Sequence, residues 1–217
     1  PNNPTGAVML KENLEAIAPI IKEADIMVIS DEIYSELTYS GEHSSIASID
    51  GMKERTIVIN GFSKSFAMTG WRIGFVCTTP SIMNAVYKIH QYTIMCASTM
   101  SQAAACEAMR YNIDNNYEDI AKMRASYDMR RRYIFNAFNK MGLKCFEPMG
   151  AFYVFPCIKS TRLSSDIFCE RLLREKHVAV VPGSAFGESG EGYVRCSYAA
   201  SLDNIKEAMK RIESFVS

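Results

Sequence analysis

The chain has 217 residues, and 48% of them are hydrophobic, which is typical of a globular protein with a buried core. Its 24 Lys and Arg residues balance its 24 Asp and Glu residues, so net charge gives no reason to expect a nucleic-acid or membrane-surface partner. No apolar run approaches the ~18 residues that a membrane span requires, so we predict no membrane partner.

Seven cysteines are scattered along the chain, and none of them forms a C-x-x-C pair. The three histidines, His43, His90 and His177, are equally dispersed, so the sequence predicts no metal site. An odd number of dispersed cysteines, without a signal peptide, predicts free thiols in a reducing cytoplasm.

The first part of the chain alternates between helical and strand-like patterns. Residues 10–24 carry an apolar stripe with helical spacing, and Pro19 within it predicts a kinked or shortened helix. Continuous apolar runs at 26–29, 56–60 and 73–77 predict strands buried on both faces, and helical patterns cover residues from about 81 to 110. This alternation predicts an α/β fold with a mostly parallel sheet.

A single long helix is predicted over residues of about 115–141, and Asn112, Asp114 and Asn115 are alternative caps at its start. Strands at 152–155 and 193–197, a helix capped by Ser164 and an amphipathic final helix follow it. We therefore predict part of a large domain at 1–112, a long linking helix at 113–142 and a small α+β domain at 143–217.

Polar side chains follow two of the predicted strands at the point where each strand ends. Asp31 and Tyr34 follow the first strand, and Lys64 follows the second with Ser63 and Ser65 beside it. In open α/β sheets, ligands bind at the carboxyl ends of the strands, so an acid, a phenol and an amine would meet in one crevice. Taken singly, each of these residues is more typical of an ordinary loop than of a binding site.

The combination matches the needs of pyridoxal phosphate. This cofactor requires an amine for its aldehyde, an acid for its ring nitrogen, a donor for its phenolic oxygen, and cations and hydroxyls for its phosphate. Arg72, eight residues after Lys64, carries a guanidinium that suits bidentate phosphate binding.

Four motifs lie along the chain. They are Asn-Pro-Thr-Gly at 3–6, Asp-Glu-Ile-Tyr at 31–34, Ser-Lys-Ser-Phe-Ala-Met-Thr-Gly-Trp-Arg at 63–72, and Tyr-Val-Arg-Cys-Ser-Tyr-Ala at 193–199. Together they resemble the motifs of the fold-type-I aminotransferases of the aspartate aminotransferase family, in the order that the family has them. A fifth segment, Gly-Ala-Phe-Tyr at 150–153, resembles a turn near the substrate of that family but is equally typical of the start of an apolar strand.

The resemblance implies a role for each matching residue around the cofactor ring. Lys64 would bond the cofactor's aldehyde and act as the catalytic proton carrier. Asp31 would pair with the pyridine nitrogen, and Asn3 and Tyr34 would hydrogen-bond the phenolic oxygen.

The resemblance also implies phosphate and substrate contacts. Arg72 and Ser63 would bind the phosphate, and Arg195 would bind the α-carboxylate of the substrate. The sequence departs from the family at Gly61, where many members have a serine that contacts phosphate, so Ser63 or a backbone amide would carry more of that contact. Outside the motif, an Arg near the end of a chain is more commonly a surface or salt-bridge residue.

The activity that this resemblance implies is transamination between an amino acid and a 2-oxo acid, with an aspartate or aromatic donor and 2-oxoglutarate as acceptor. The family's length predicts that the chain is a C-terminal half, which alone binds cofactor poorly and does not turn over. Tyr92, Gln102 and the stretch 96–100 resemble a region that faces the second subunit of a homodimer. A β-lyase on the same fold and a non-catalytic C-terminal module remain alternatives.

Overall fold

The computed structural model describes residues 1–217. The fold begins with a helix that is followed by short strands. Tertiary contacts group Met9–Lys122 into one unit, which we call the central unit, and Pro1–Val8 with Met123–Ser217 into another, which we call the terminal unit. This grouping divides the chain after Val8 and after Lys122, whereas the predicted boundaries are at 112 and 142. The first eight residues group with the C-terminal part. The domain division of the whole protein stays a prediction.

The central unit alternates helices and strands as predicted, so the α/β fold class is confirmed. The predicted helical region from 81 to 110 is two helices, because the chain leaves the helix between residues 93 and 99. The elements are α1 (Lys11–Glu23), β1 (Val28–Asp31), β2 (Thr56–Gly61), α2 (Phe62–Ser65), β3 (Gly74–Cys77), α3 (Pro80–Thr93) and α4 (Thr99–Asp114).

These three strands form one sheet in the order β1-β2-β3. β1 and β2 are parallel, with Ile29 opposite Ile57, whereas β3 runs antiparallel to β2, with Val76 opposite Ile59. The parallel character that the sequence predicts therefore holds for β1 and β2, and β3 departs from it.

Helix α1 covers one face of this sheet. Leu14 and Ala18 from α1 form a buried cluster with Ile46 and Met52, and Val28 of β1 packs against it. Pro19 lies inside α1 and is exposed, and the helix continues to Glu23, so the predicted shortening is wrong. The missing N–H of Pro19 falls on the solvent side of the helix, away from this cluster.

The opposite face of the sheet is open to solvent in this chain. Because side chains alternate along a strand, Ile29, Ile59 and Val76 share this face, which we call the open face. The side chain of Ile29 is 68% exposed and that of Ile59 is 39% exposed. The prediction of strands buried on both faces is therefore wrong for this chain, since Ile29 and Ile59 on the open face are exposed.

The terminal unit contains the long helix and a second small sheet. The long helix begins at Glu118, so none of the three predicted caps stands directly before it: Asn112 and Asp114 belong to α4, and Asn115 follows that helix. The elements are α5 (Glu118–Lys140), β4 (Tyr153–Val154), α6 (Ser165–Lys176), β5 (Val181–Pro182), β6 (Val194–Ser197) and α7 (Leu202–Val216). The sheet has the strand order β4-β6-β5, and both of its pairs are antiparallel.

Two serine caps fix the last helices. The Ser164 hydroxyl accepts from the Ile167 N–H, as the sequence predicts, and the Ser201 hydroxyl accepts from the Asn204 N–H. Ile205, Met209 and Ile212 of α7 are buried, which confirms the predicted apolar face. All seven cysteines are free thiols, and none of the helices has the length and hydropathy that crossing a membrane requires.

The open face predicts that the isolated chain self-associates. Exposed apolar side chains on strands favour pairing with another copy. We expect the apparent mass of the chain to rise with concentration in analytical ultracentrifugation, and we expect Ile29→Lys to reduce this rise because it places a charge on the open face. Ile167→Lys is the matched control, since Ile167 is an exposed isoleucine on α6. A chain that stays monomeric over the whole concentration range contradicts the prediction.

Candidate active site

The polar residues that end β1 occupy a tight turn. Asp31 is the last residue of β1 and is exposed, and its Oδ1 accepts from the Ile33 N–H at 3.2 Å. Tyr34 follows one turn later and is buried, with 6% of its surface exposed. The turn therefore presents a carboxylate to solvent while it holds a phenol inside the unit.

Lys64 follows β2 on a single helical turn. β2 ends at Gly61 and passes directly into α2, which carries Lys64 in its middle. Because β1 and β2 are parallel neighbours, their carboxyl ends lie at the same edge of the sheet. The Lys64 Nζ lies 5.7 Å from the centroid of the Tyr34 ring. Two of the residues that the sequence predicts for one crevice are thus brought together.

Asn60, which no sequence motif marks, connects these two strand ends. Its Nδ2 donates to the Ser35 hydroxyl at 3.2 Å, and its Oδ1 accepts from the Gly61 N–H at 2.7 Å. One side chain therefore hydrogen-bonds both the turn after Tyr34 and the backbone before Lys64. An Asn at the end of a strand gives a weak sequence signal, because only the strand pairing reveals what it reaches.

Gly61, the position that departs from the family motif, fills a close contact between strands. A Cβ at this position would lie 2.9 Å from the Gly74 Cα and 3.0 Å from the Ile73 carbonyl oxygen. Gly61 pairs with Gly74 across β2 and β3, so two glycines allow this approach. A serine would require the strands to move apart, which gives the departure a physical reason.

The segment from 63 to 72 is folded by hydrogen bonds to its own backbone. The Thr69 hydroxyl donates to the Ser63 carbonyl at 3.0 Å, and the Arg72 Nη1 donates to the Thr69 carbonyl at 2.9 Å. The Ser101 hydroxyl of α4 donates to the Trp71 carbonyl at 2.7 Å. These contacts curl the segment back toward Ser63, and Arg72, which has a φ of 51°, stays exposed at its end.

A buried carboxylate lies directly beside Asp31. Glu32 accepts hydrogen bonds from the hydroxyls of Ser45 at 2.6 Å and Ser30 at 3.0 Å and from the His43 Nε2 at 2.9 Å. Burial acts to raise the pKa of Glu32, but the hydrogen bonds from His43, Ser45 and Ser30 outweigh it and hold that pKa below its usual value. A carboxyl whose pKa is lowered by folding stabilises the fold at neutral pH and loses this contribution as the pH falls through the folded-state value.

Arg195 occupies a pocket of aromatic rings in the terminal unit. It lies on β6 opposite Val181, and its Nη1 donates to the Asn3 Oδ1 at 2.8 Å. Its guanidinium carbon lies 4.6 Å from the ring centroid of Tyr153 and 4.9 Å from that of Phe186. Two rings and an amide therefore fix the direction of the guanidinium. Sequence patterns do not reveal Phe186, which ends a short 3₁₀ helix at Gly183–Phe186.

The turn that carries Asn3 is fixed from both sides. The Gly6 carbonyl accepts from the N–H groups of Met149 and Gly150 at 2.8 and 3.0 Å, which is why residues 1–8 belong to the terminal unit. Gly6 has a φ of 72°, and a Cβ there would lie 2.4 Å from the Pro148 Cβ. Buried Arg131 of α5 donates to the Pro148 carbonyl at 3.0 Å and so supports the opposite side of this contact.

The chain is similar to known proteins along nearly its whole length. Residues 1–212 match the family described as Aminotransferase class I and II. The chain belongs to this family. All four sequence motifs and the two pairs of neighbouring residues described above, Lys64 with Tyr34 and Asn3 with Arg195, lie within the matched range.

Aminotransferases from archaea are similar to this chain in sequence and structure. The aspartate aminotransferase of Pyrococcus abyssi is 50% identical over 98% of this chain, and the aromatic-amino-acid aminotransferase 2 of Thermococcus litoralis is 48% identical over 98%. The crystal structure of the aromatic aminotransferase of Pyrococcus horikoshii OT3 covers 99% of this chain with a TM-score of 0.94 and 49% identity. The chain covers 54%, 54% and 57% of these three proteins, so it spans about half the length of such relatives.

Gly6 gives a test of how the Asn3 turn is held in this aminotransferase family member. We expect Gly6→Ala to lower the free energy of unfolding by more than ~1 kcal/mol, because it adds both a left-handed alanine and a clash with Pro148. Thermal and urea denaturation of the chain measure this change. Gly142→Ala is the matched control, since Gly142 has a φ of 83° and nothing lies within 4 Å of its added Cβ. Equal losses for the two variants would show that the Pro148 contact contributes nothing.

Proposed function

We propose that the chain is the lysine-bearing part of a pyridoxal-phosphate-dependent aminotransferase, which exchanges the amino group of an amino acid with a 2-oxo acid. The observation that carries this proposal is the position of the Lys64 amine beside the Tyr34 ring, at the sheet edge where Asp31 ends β1. Membership of the aminotransferase class I and II family supports it independently.

The residues present in the central unit suit the proposed cofactor. Pyridoxal phosphate, when bound, supplies an aldehyde and an electron-withdrawing pyridine ring. Lys64 would provide the amine for the aldehyde, Asp31 the carboxylate for the ring nitrogen and Tyr34 the donor for the phenolic oxygen. The exposed guanidinium of Arg72 and the hydroxyl of Ser63 would hold the phosphate.

Lys64 is the proposed catalytic residue for proton transfer. Its Nζ would take the proton from the substrate's α-carbon and deliver it to the former aldehyde carbon of the cofactor, which requires the amine to be uncharged when it takes the proton. The Tyr34 ring lies beside this amine, with its centroid 5.7 Å from the Nζ. Asn60 supports both residues through its hydrogen bonds to Ser35 and Gly61.

Arg195 is the proposed binding residue for the substrate's α-carboxylate. A guanidinium binds a carboxylate with two parallel hydrogen bonds only when its plane is correctly oriented. The Asn3 amide and the rings of Tyr153 and Phe186 already fix that plane. Little orientational freedom then remains to be lost when substrate binds, which favours both affinity and alignment.

We further propose an aspartate or aromatic donor, 2-oxoglutarate as acceptor, and a cytoplasmic homodimer. Relatives named as aspartate and aromatic aminotransferases support the donor class. The side chains of Tyr92 and Met100, in and near the region that resembles the partner-facing surface, are 89% and 76% exposed, which leaves them accessible to a second subunit. Seven free thiols fit a reducing compartment.

The covalent role of Lys64 can be tested in the whole protein. Borohydride reduction in the presence of pyridoxal phosphate should add the mass of the reduced cofactor to the peptide that contains Lys64, and Lys64→Ala should lose both this mass and transaminase activity. We expect an activity loss of at least about 10⁴-fold, because both covalent catalysis and proton transfer are removed. Lys53→Ala is the control, since Lys53 is exposed and lies at the opposite end of β2.

Retention of activity by Lys64→Ala, or attachment of the cofactor to another lysine, would contradict the proposal. Product analysis separates the alternative reaction class. Release of ammonia and pyruvate from a cystathionine-like substrate without any 2-oxo acid would indicate a β-lyase.

The 217-residue chain by itself should bind cofactor weakly and should not turn over. It spans about half the length of its relatives, so groups from the rest of such proteins are missing from its site. Absorbance titration with pyridoxal phosphate and an assay with aspartate and 2-oxoglutarate measure the two properties. Steady turnover by this chain alone would show that these residues are sufficient.

A further inference from the structure

Glu32 is a buried acid that the proposed chemistry does not use. Its side chain lies between Asp31 and Tyr34 in the sequence, and only 7% of the residue is exposed. Successive side chains alternate at the end of a strand, so Glu32 points away from Asp31. Asp31 is exposed, whereas Glu32 directs its carboxylate into the central unit.

Three side chains hold this carboxylate. Oε1 accepts from the Ser45 hydroxyl at 2.6 Å and from the Ser30 hydroxyl at 3.0 Å, and Oε2 accepts from the His43 Nε2 at 2.9 Å. An ionised carboxylate accepts hydrogen bonds but cannot donate them, so His43 carries its proton on Nε2. Charge-assisted hydrogen bonds of this kind are strong and directional.

The backbone of Glu32 is held on both sides. Its N–H donates to the Ile59 carbonyl of β2 at 2.8 Å, and its carbonyl accepts from the Ser35 N–H at 2.9 Å. The first bond extends the pairing with β2 beyond Asp31, and the second closes the turn that contains Tyr34. The backbone of Glu32 therefore joins that turn to β2.

The partners of Glu32 are themselves tied to the hydrophobic core under α1. The Ser45 hydroxyl accepts from the Ala47 N–H at 3.2 Å and caps a short helical turn. Ile46 in this turn is 5% exposed and belongs to the cluster that contains Leu14 and Met52. Ser45 precedes the core residue Ile46 in the chain and hydrogen-bonds Glu32, and Glu32 in turn hydrogen-bonds the turn at the sheet edge.

We propose that Glu32 is a positioning residue, which ties the turn carrying Asp31 and Tyr34 to the core and thereby sets where these side chains stand beside Lys64. Stability alone does not require it, because well-packed apolar residues commonly stabilise a fold as much as a buried charged cluster does. Directional hydrogen bonds provide what apolar packing lacks, namely a fixed orientation of the turn. This role rests on the proposed function of Asp31, Tyr34 and Lys64.

The test compares Glu32→Gln with Thr56→Val in the whole protein. Thr56 lies in the sheet that β1 and β2 share, is 1% exposed and donates to the Met52 carbonyl at 2.7 Å. It begins β2, whereas Lys64 follows the other end of that strand. Both variants should lower the melting temperature. Only Glu32→Gln should also weaken pyridoxal phosphate binding, by about tenfold or more, and move the pH midpoint of the bound cofactor's visible absorbance.

A milder variant keeps the test decisive if Glu32→Gln fails to fold. His43→Gln alters one partner whose side chain is 24% exposed, and it should change affinity and midpoint in the same direction by a smaller factor. If both variants lower the melting temperature but keep the wild-type affinity and midpoint, Glu32 is merely structural and the inference is wrong. A wild-type protein that does not bind the cofactor through Lys64 would instead overturn the proposed function.

Discussion

The parallel pairing of β1 with β2 is the constraint on which the rest of the central unit depends. It aligns Val28 with Thr56 and Asp31 with Ile59, so both strands end at the same edge of the sheet. Neither turn would bring its side chains to the other without this register, because a slip of one residue moves Asp31 to the opposite face. The close approach of Gly61 to Gly74 adds a second restraint, since it fixes the end of β2 against β3 just before Lys64.

Polar groups then convert this strand register into side-chain positions. Asn60 joins the two turns, whereas Glu32 joins the first turn to the core through Ser45. Hydrogen bonds are better suited to this than apolar contacts, because an unpaired buried polar group is costly and each group therefore has few acceptable positions. The turns of the candidate site are thus held by Asn60 and Glu32, which are not among the proposed catalytic and binding residues.

The sequence predicted the secondary-structure elements and the candidate site residues better than it predicted the side chains that hold those residues in place. The strand ends at Asp31 and Gly61 follow from apolar runs, and the motif around Lys64 puts an amine directly after the second of these ends. The motif around Arg195 puts a guanidinium on β6 of the terminal unit. Sequence patterns did not reveal Asn60 and Phe186, because the roles of an Asn near the end of a strand and of a Phe in a short 3₁₀ helix depend on neighbours distant in sequence. The sequence did not reveal the open face for a related reason. A continuous apolar run indicates that both faces of a strand favour burial, but it does not show which element of the chain covers each face.

The two pairs of proposed functional residues are each set within their own unit. Lys64 and Tyr34 are held by the β1–β2 register, and Arg195 and Asn3 are held by β6, aromatic rings and the Gly6 turn. Each pair has short-range supports, so its internal geometry does not depend on the other unit. Arranging the proposed cofactor-bonding group and the proposed substrate-binding group separately allows each to be rigid, and rigidity within each pair would serve both covalent attachment and carboxylate recognition.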